Sequence, residues 1–97
     1  MNTILTKSDS KTILVDFSAE WCDTCQTMES IFEDLAKEMA DSLEFMHIDI
    51  DKHPQIAASF QIRSIPTFIL LKNGNQIWRK AGLLTRKEFQ KAIEEQL

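Results

Sequence analysis

Short apolar runs separated by polar segments predict the strands of this chain. The strands are expected at residues 13–17, 43–50 and 67–71. The first and last of these runs are almost entirely apolar, which is typical of strands buried on both faces of a sheet. Asn73-Gly74 is a strong hairpin-turn signal, so residues 76–80 are expected to form a fourth strand, antiparallel to the one before the turn.

Between these runs the apolar residues recur with the period of a helix. One stripe at helical spacing consists of Met28, Ile31, Phe32, Leu35, Ala36 and Met39. Pro54 suits the first position of a short second helix that ends near Phe60. Thr85 and Glu88 form a capping-box pattern at the start of a last helix. The buried face of that helix is expected to contain Phe89, Ala92, Ile93 and Leu97.

The predicted order is therefore β-α-β-α-β-β-α, and a helical turn is expected before it at residues 3–8. Strands joined by helical crossovers should be parallel, with right-handed connections. The 97 residues contain no repeat, low-complexity segment or linker, so residues 1–97 are expected to form a single α/β domain.

Charge and composition exclude several functional classes. The net charge is −4 and the basic residues are scattered, which argues against nucleic acid or an anionic membrane as the partner. No apolar run approaches the ~20 residues that a membrane-spanning helix needs. Residues 1–11 lack the continuous apolar stretch of a signal peptide, so we expect a cytoplasmic protein. We also expect a monomer.

The two cysteines of the chain, Cys22 and Cys25, are the first candidates for chemistry. Cys22 falls where a strand ends and a helix begins, and the free N–H groups and dipole of a helix N-terminus stabilise a thiolate. The thiolate is the nucleophile in disulfide exchange. Cys25 follows one turn later, so we expect Cys22 to attack and Cys25 to resolve the mixed disulfide.

Two other interpretations of the cysteine pair are a zinc site and a buried, inert pair. C-x-x-C is also half of a zinc site, which His47 and His53 would have to complete. The two histidines are expected in a strand and at a helix start, without a knuckle-like turn, so the zinc interpretation is disfavoured. A buried, inert pair is disfavoured by the loop-like residues beside the cysteines. We expect no metal and no bound cofactor.

Asp16 is the second candidate, because it interrupts the apolar run "ILVDF". A carboxylate is costly to bury unless it is paired or protonated. Burial raises the pKa of a carboxyl, which suits a proton shuttle near neutral pH. The alternative is that Asp16 lies on the exposed face of an edge strand.

Five stretches of the sequence resemble the thioredoxin family, in the family's order and spacing. They are "ILVDF.AEWC..C", "IDIDKHP", "IRSIPTF", "LKNG" and "AGLLT.KEF", and they cover about residues 12–97. The resemblance implies the thioredoxin fold, an α/β fold with a central mixed four-stranded sheet flanked by helices. The family's usual first strand is expected to be missing, which would leave the strand at residues 45–50 at a sheet edge.

The resemblance also implies roles for single residues at the reacting centre. It makes Cys22 the nucleophile and Cys25 the resolving cysteine. Asp16 matches the family's buried acid, which assists proton transfer at the resolving thiol. His47 stands where a lysine often accompanies this acid, and Ser18 replaces the first of the family's two tryptophans.

A substrate groove is implied by the same resemblance. Pro66 matches a proline that is cis in the family and faces the cysteines, whereas without the resemblance Ile65-Pro66 would be an ordinary strand entry. Ile65 is expected to offer backbone groups to an extended substrate. Trp21 and Gly82 match the apolar rim of the groove.

The function implied is that of a protein-disulfide reductase, which receives its electrons from a reductase. The family's reductive members usually have Gly-Pro between the cysteines, whereas this chain has Asp23-Thr24. Two alternatives therefore stay open. The protein could act as a disulfide oxidase or isomerase, or as a peptide-binding module without turnover.

Overall fold

Four strands and three helices follow one another in residues 12–97, the part of the chain that the computed structural model describes. In chain order they are β1 (Thr12–Ser18), α1 (Asp23–Glu38), β2 (Glu44–Asp49), α2 (Pro54–Ser59), β3 (Thr67–Lys72), β4 (Asn75–Ala81) and α3 (Arg86–Gln96). The predicted order of elements is confirmed. The helical turn expected at residues 3–8, and the expectation about a first strand, lie outside the described residues.

The four strands form one mixed sheet in the order β2-β1-β3-β4. β1 pairs parallel with β2, which it reaches through the crossover helix α1. β3 runs antiparallel to both β1 and β4. Among the described strands β2 is at the edge, as predicted, and β1 lies inside the sheet with a hydrogen-bonded neighbour on each side.

Alternate residues of β1 enter the two cores on opposite faces of the sheet, as the pleat of a strand requires. Val15 and Phe17 face the core that α2 covers, together with Ile69 of β3. Leu14 faces the core formed with α1 and α3. Full burial of a Val, Leu or Phe side chain stabilises the fold by about 1.5–3 kcal/mol. Asp16 shares the α1 face with Leu14, which places it beneath the helix that begins after Cys22.

The start of α3 is fixed by the predicted capping box. The Glu88 N–H donates to Thr85 Oγ1 at 3.1 Å, and the Thr85 N–H donates to Glu88 Oε1 at 2.9 Å. Two backbone donors that the helix leaves free are thereby satisfied.

Within residues 12–97, none of the helices combines the length and the apolar character needed to cross a membrane.

Candidate active site

Cys22 and Cys25 form a disulfide at the start of α1, with their Cα atoms 5.2 Å apart. Cys22 is the N-cap residue, and its backbone is extended where β1 has ended and α1 has not begun. Its Sγ accepts the Cys25 N–H at 3.1 Å. The chain reaches this position through a tight turn in which the Cys22 N–H donates to the Ala19 carbonyl at 3.2 Å. The reacting sulfurs therefore lie at the positive end of a helix dipole, as predicted.

Both cysteines belong to a small apolar cluster next to the main core. Cys22, Cys25 and Ala19 are buried together, and Ile50 and Ile65 pack against them. The two cysteines are thus largely buried, and Ile65 brings the segment before Pro66 to the cysteine pair.

Asp16 is 5% exposed and lies on an interior strand, so the alternative of an exposed edge position is wrong. Burial raises the pKa of Asp16, and the hydrogen bond and charge of His47 oppose part of this rise. The carboxylate of Glu29 on α1 adds to the rise in the pKa of Asp16 by repulsion. The expectation of a carboxyl with a raised pKa beneath the cysteines is confirmed.

His47 connects the buried acid to the surface. β1 and β2 place Asp16 opposite His47 in their parallel register, and Nδ1 of His47 lies 3.0 Å from Oδ2 of Asp16. The side chain of His47 is 55% exposed. The Oγ atom of Ser18 lies 3.1 Å from Nε2 of His47. The sequence identified Ser18 and His47 as replacements, but their contact depends on the register of the two strands.

Asp16 and Cys25 line a common cavity of about 390 Å³, which is also lined by His47, Gln26 and Glu29. A polar cavity of this size has room for several water molecules. A proton can therefore pass between the Cys25 sulfur and the Asp16 carboxyl through solvent, and from Asp16 to the surface through His47. The arrangement suits acid–base chemistry at the Cys25 sulfur.

A groove lies beside the cysteines, and its lining includes Ile65, the residue before Pro66. The Ile65-Pro66 peptide bond is cis, as predicted. The groove has a volume of about 310 Å³ and is lined by Trp21, Ile50, Ile62, Arg63, Ser64 and Ile65. Trp21 is 66% exposed, and its Nε1–H donates to Asp51 Oδ2 at 2.7 Å. Trp21 thus offers to the groove an exposed ring that its hydrogen bond to Asp51 holds in place.

Gly82 is held next to Pro66 by its backbone. Its N–H donates to the Pro66 carbonyl at 2.9 Å, and its φ of +93° is a conformation that favours glycine. Leu83 follows and is 60% exposed, while Leu84 packs against the core. The exposure of Leu83 was not predicted from the sequence. Two consecutive leucines before a capped helix were the signal, because only one of them can face inward.

The side chains that could bind a metal ion are dispersed over residues 12–97. No group of three or more His, Cys, Asp or Glu side chains among them is arranged to hold a metal ion. His47 contacts Asp16 and Ser18, and His53 is the N-cap residue of α2. The two histidines that a zinc site would require lie in different parts of the fold, His47 in β2 and His53 before α2.

Comparisons with known proteins find similarity to thioredoxins over nearly the whole chain. The family model described as thioredoxin matches residues 2–95. "Thioredoxin Y1, chloroplastic" of Arabidopsis thaliana is 39% identical over 94 residues, which are 97% of this chain and 54% of that protein. The thioredoxin of Buchnera aphidicola subsp. Baizongia pistaciae is 42% identical over 79 residues, which are 81% of this chain and 72% of that protein. The chain spans about half the length of the chloroplastic relatives it matches.

Solved structures resemble the fold over almost its whole length. A crystal structure of a thioredoxin from Nicotiana alata gives a TM-score of 0.87 at 33% identity, and covers 96% of this chain and 81% of that one. The reduced thioredoxin pre-protein of Schistosoma mansoni gives a TM-score of 0.86 at 28% identity, and covers 98% of this chain and 88% of that one.

Proposed function

The chain belongs to the thioredoxin family, and on that premise we propose that it reduces protein disulfides through a dithiol–disulfide cycle of Cys22 and Cys25. One observation carries the proposal. A disulfide-bonded C-x-x-C pair lies at a helix N-terminus, and the buried Asp16 shares a cavity with the second sulfur. The family match supports taking residues 1–97 as one domain.

The proposed reaction consists of two thiol–disulfide exchanges. The Cys22 thiolate attacks one sulfur of a substrate disulfide, forms a mixed disulfide and releases the other substrate sulfur as a thiolate. Cys25 then loses its proton and attacks Sγ of Cys22, which closes the intramolecular disulfide and releases the second substrate thiolate. Two electrons pass to the substrate in total. The helix N-terminus favours the attacking thiolate.

Asp16 is proposed to accept the proton that Cys25 loses. A carboxyl whose pKa is raised by burial can take up and release a proton closer to neutral pH than an exposed one. The shared cavity gives the proton a route from Cys25, and the contact with His47 gives it a route onward to solvent. Asp16 thus acts on the second exchange and not on the first.

The groove is proposed to bind an extended segment of the substrate. Ile65 would offer its backbone groups to that segment, and Trp21 and Gly82 would flank it beside Cys22. Leu83 adds an exposed apolar side chain next to Gly82. Chains with an apolar residue near the disulfide should therefore be preferred substrates.

The proposed partners are protein disulfides and an electron-donating reductase that returns the pair to the dithiol. We propose the cytoplasm as the compartment, because a disulfide reductase works where thiols are kept reduced. Two relatives carry the word chloroplastic in their names, so fractionation is the direct test of the compartment. A monomer is proposed, and light scattering at micromolar concentration tests it.

A second candidate, an oxidase or isomerase, rests on Asp23-Thr24, which stands where reductive members of the family usually have Gly-Pro. The charge of Asp23 in the first turn of α1 opposes this candidate, because it repels a Cys22 thiolate and so favours the disulfide form. The reduction potential separates the candidates, since reductases lie near ~−270 mV and strong oxidants near ~−120 mV. A peptide-binding module, the third candidate, would turn over no disulfide at all.

Insulin reduction by the wild-type protein and by Cys22→Ser, with dithiothreitol as donor, tests the proposed function. We expect the wild-type protein to accelerate insulin precipitation and Cys22→Ser to give only the rate of dithiothreitol alone. Equal rates with and without the wild-type protein would exclude reductase activity and favour the binding module.

A further inference from the structure

Arg79 holds two carbonyl groups at the start of the groove wall. Nη1 of Arg79 donates to the Phe60 carbonyl at 2.6 Å, and Nη2 donates to the Gln61 carbonyl at 2.9 Å. Arg79 lies opposite Ile69 in the register of β3 and β4, so its side chain leaves the sheet on the face that α2 covers. The fork geometry of a guanidinium suits two neighbouring oxygens, whereas an ammonium offers a single point charge.

The two carbonyls are available because of the way α2 ends. Gln61 adopts a φ of +53°, and the N–H groups of Gln61 and Ile62 turn back to the carbonyls of Ala58 and Ala57 at 3.0 and 3.1 Å. The carbonyl groups of Phe60 and Gln61 then point away from the helix. A cation at the C-terminal end of a helix is also favoured by its dipole.

The carbonyls of Phe60 and Gln61 directly precede the segment that lines the groove. Residues 62–65, which we call the groove wall, run from the end of α2 to Pro66 and line the groove together with Trp21. The far end of the groove wall is fastened by two hydrogen bonds, from Thr67 Oγ1 to the Ser64 carbonyl at 2.6 Å and from the Gly82 N–H to the Pro66 carbonyl at 2.9 Å. The near end is fastened by Arg79.

We propose that Arg79 is a positioning residue for substrate binding, which rests on the proposed reductase function. Arg79 and Gly82 are joined by the last residues of β4 and the turn that follows. The edge strand β4 and the turn after it thus hold both ends of the groove wall. They thereby set the distance between the groove wall and the cysteines. A protein substrate that lies along the groove wall depends on Arg79, whereas a small disulfide that reaches only Cys22 does not.

Steady-state kinetics of Arg79→Gln with two disulfides test the proposal. With insulin we expect KM to rise about 3- to 10-fold while kcat changes little, the size expected for losing the net contribution of one typical hydrogen bond. With hydroxyethyl disulfide the rate should stay within about 2-fold of wild type, because no groove contact is lost. Arg79→Lys should be intermediate, since it keeps the charge but loses the fork.

Lys80→Gln is the matched control. It removes the same charge from the next residue of β4, which lies opposite Phe68 and so faces away from α2. Its KM for insulin should equal that of wild type. As a second measurement, amide hydrogen exchange should be faster in the groove wall of Arg79→Gln than in wild type, and unchanged in Lys80→Gln.

Three outcomes would overturn the proposal. An unchanged KM for insulin in Arg79→Gln would show that the groove wall is positioned without Arg79. An equal loss of rate with both disulfides would show a general loss of folded protein. If the wild-type protein reduces neither disulfide, the proposed reductase function itself fails. If the wild-type protein is active and Arg79→Gln shows an unchanged KM or an equal loss of rate, only the role of Arg79 is removed.

Discussion

Helices α1 and α3 begin in the same way but with different atoms. At the start of α3 the Thr85 hydroxyl accepts the Glu88 N–H at 3.1 Å, and Glu88 returns a second hydrogen bond. At the start of α1 the Cys22 sulfur accepts the Cys25 N–H at 3.1 Å. Sulfur is a weak acceptor, so the α1 start is less firmly capped and its cap atom stays available for exchange. The same helix position thus supplies stability in one case and reactivity in the other.

The carboxyl groups near the two helix starts differ in burial and in the direction of their pKa shift. Glu88 is exposed, and hydrogen bonds from Thr85 lower its pKa. Asp16 lies buried beneath α1, and desolvation raises its pKa. The exposed carboxyl is most favourable to folding when charged, and the buried one when neutral. The two helix starts should therefore respond in opposite directions to pH.

The largest expected effect is at the α1 start. Cys25→Ser should lower insulin reduction by at least about 1,000-fold, because a catalytic unit that loses one member loses most of its rate. It should also accumulate mixed disulfides with substrates, since Cys22 still attacks and nothing resolves the product. Mass spectrometry after mixing with oxidised insulin checks this. Cys22→Ser is the matched variant, and equal trapping by both would contradict the roles given to the two sulfurs.

Asp16→Asn should make the protein more stable at neutral pH. The folded-state pKa of Asp16 lies above its ordinary value of 3.8, so its favourable contribution is complete below that value and is lost as pH rises through the folded-state pKa. Relative to wild type, the variant should gain about 1–3 kcal/mol between pH 4 and pH 7, the range found for buried polar groups without full compensation. Urea unfolding at both pH values measures the gain.

The same Asp16→Asn variant should resolve mixed disulfides more slowly. A greater stability at pH 7 accompanied by a lower rate would separate the catalytic from the structural part played by Asp16. If the variant is less stable than wild type at both pH values, the buried carboxylate is better compensated by His47 than its burial indicates.

Thr85→Ala should affect stability and leave the chemistry unchanged. Loss of the cap should lower the free energy of unfolding by about 1 kcal/mol, while the insulin reduction rate per folded molecule stays the same. Chemical denaturation and the insulin assay on one preparation check both parts. A lower activity at equal folded fraction would mean that the α3 start also acts on the site.

Glu88→Gln tests the pH response of this helix start. Because the folded-state pKa of Glu88 is lowered, its contribution is present above the unfolded-state pKa and is lost as pH falls through the folded-state value. Compared with wild type, the variant should therefore lose less stability on acidification below about pH 4.5. This is the opposite sign to Asp16.

The smallest expected effect concerns Asp23. Removing its charge with Asp23→Asn should stabilise the Cys22 thiolate, and hence the reduced form, so that the potential becomes less negative by about 5–20 mV. Equilibration with a glutathione buffer measures this. Glu20→Gln is a suitable control, because Glu20 is also a nearby carboxylate but is paired with Lys52 at 3.3 Å. Equal shifts in both variants would show a general effect of charge.

Features that depend on neighbouring residues along the chain could be predicted from the sequence. The capping box of Thr85 and Glu88, the order of the elements and the hairpin after β3 are all of this kind. The strand bounds differed by about one residue, as with β4, predicted at 76–80 and observed at Asn75–Ala81. The cis bond at Pro66 required the resemblance, since little in the local sequence favours it.

Contacts that depend on strand register and on the packing of distant elements could not be predicted. Ser18 and His47 meet because two parallel strands align at one register. Arg79 reaches the end of α2 because β4 lies at the sheet edge beside it. Each of these side chains is ordinary in its own segment, so the information lies in the tertiary structure.

The sheet order also governs how the chain can assemble during synthesis. β1 lies between β2 and β3, and is made first of these three. A nascent chain that ends after α2 has β1 paired along one side only, with the hydrogen-bonding groups of the other side and the adjoining apolar core still open to solvent. The hairpin of β3 and β4 forms locally and then closes that side by long-range pairing, a step that is intrinsically slow. The last third of the chain is therefore required before the strand that carries Asp16 becomes interior.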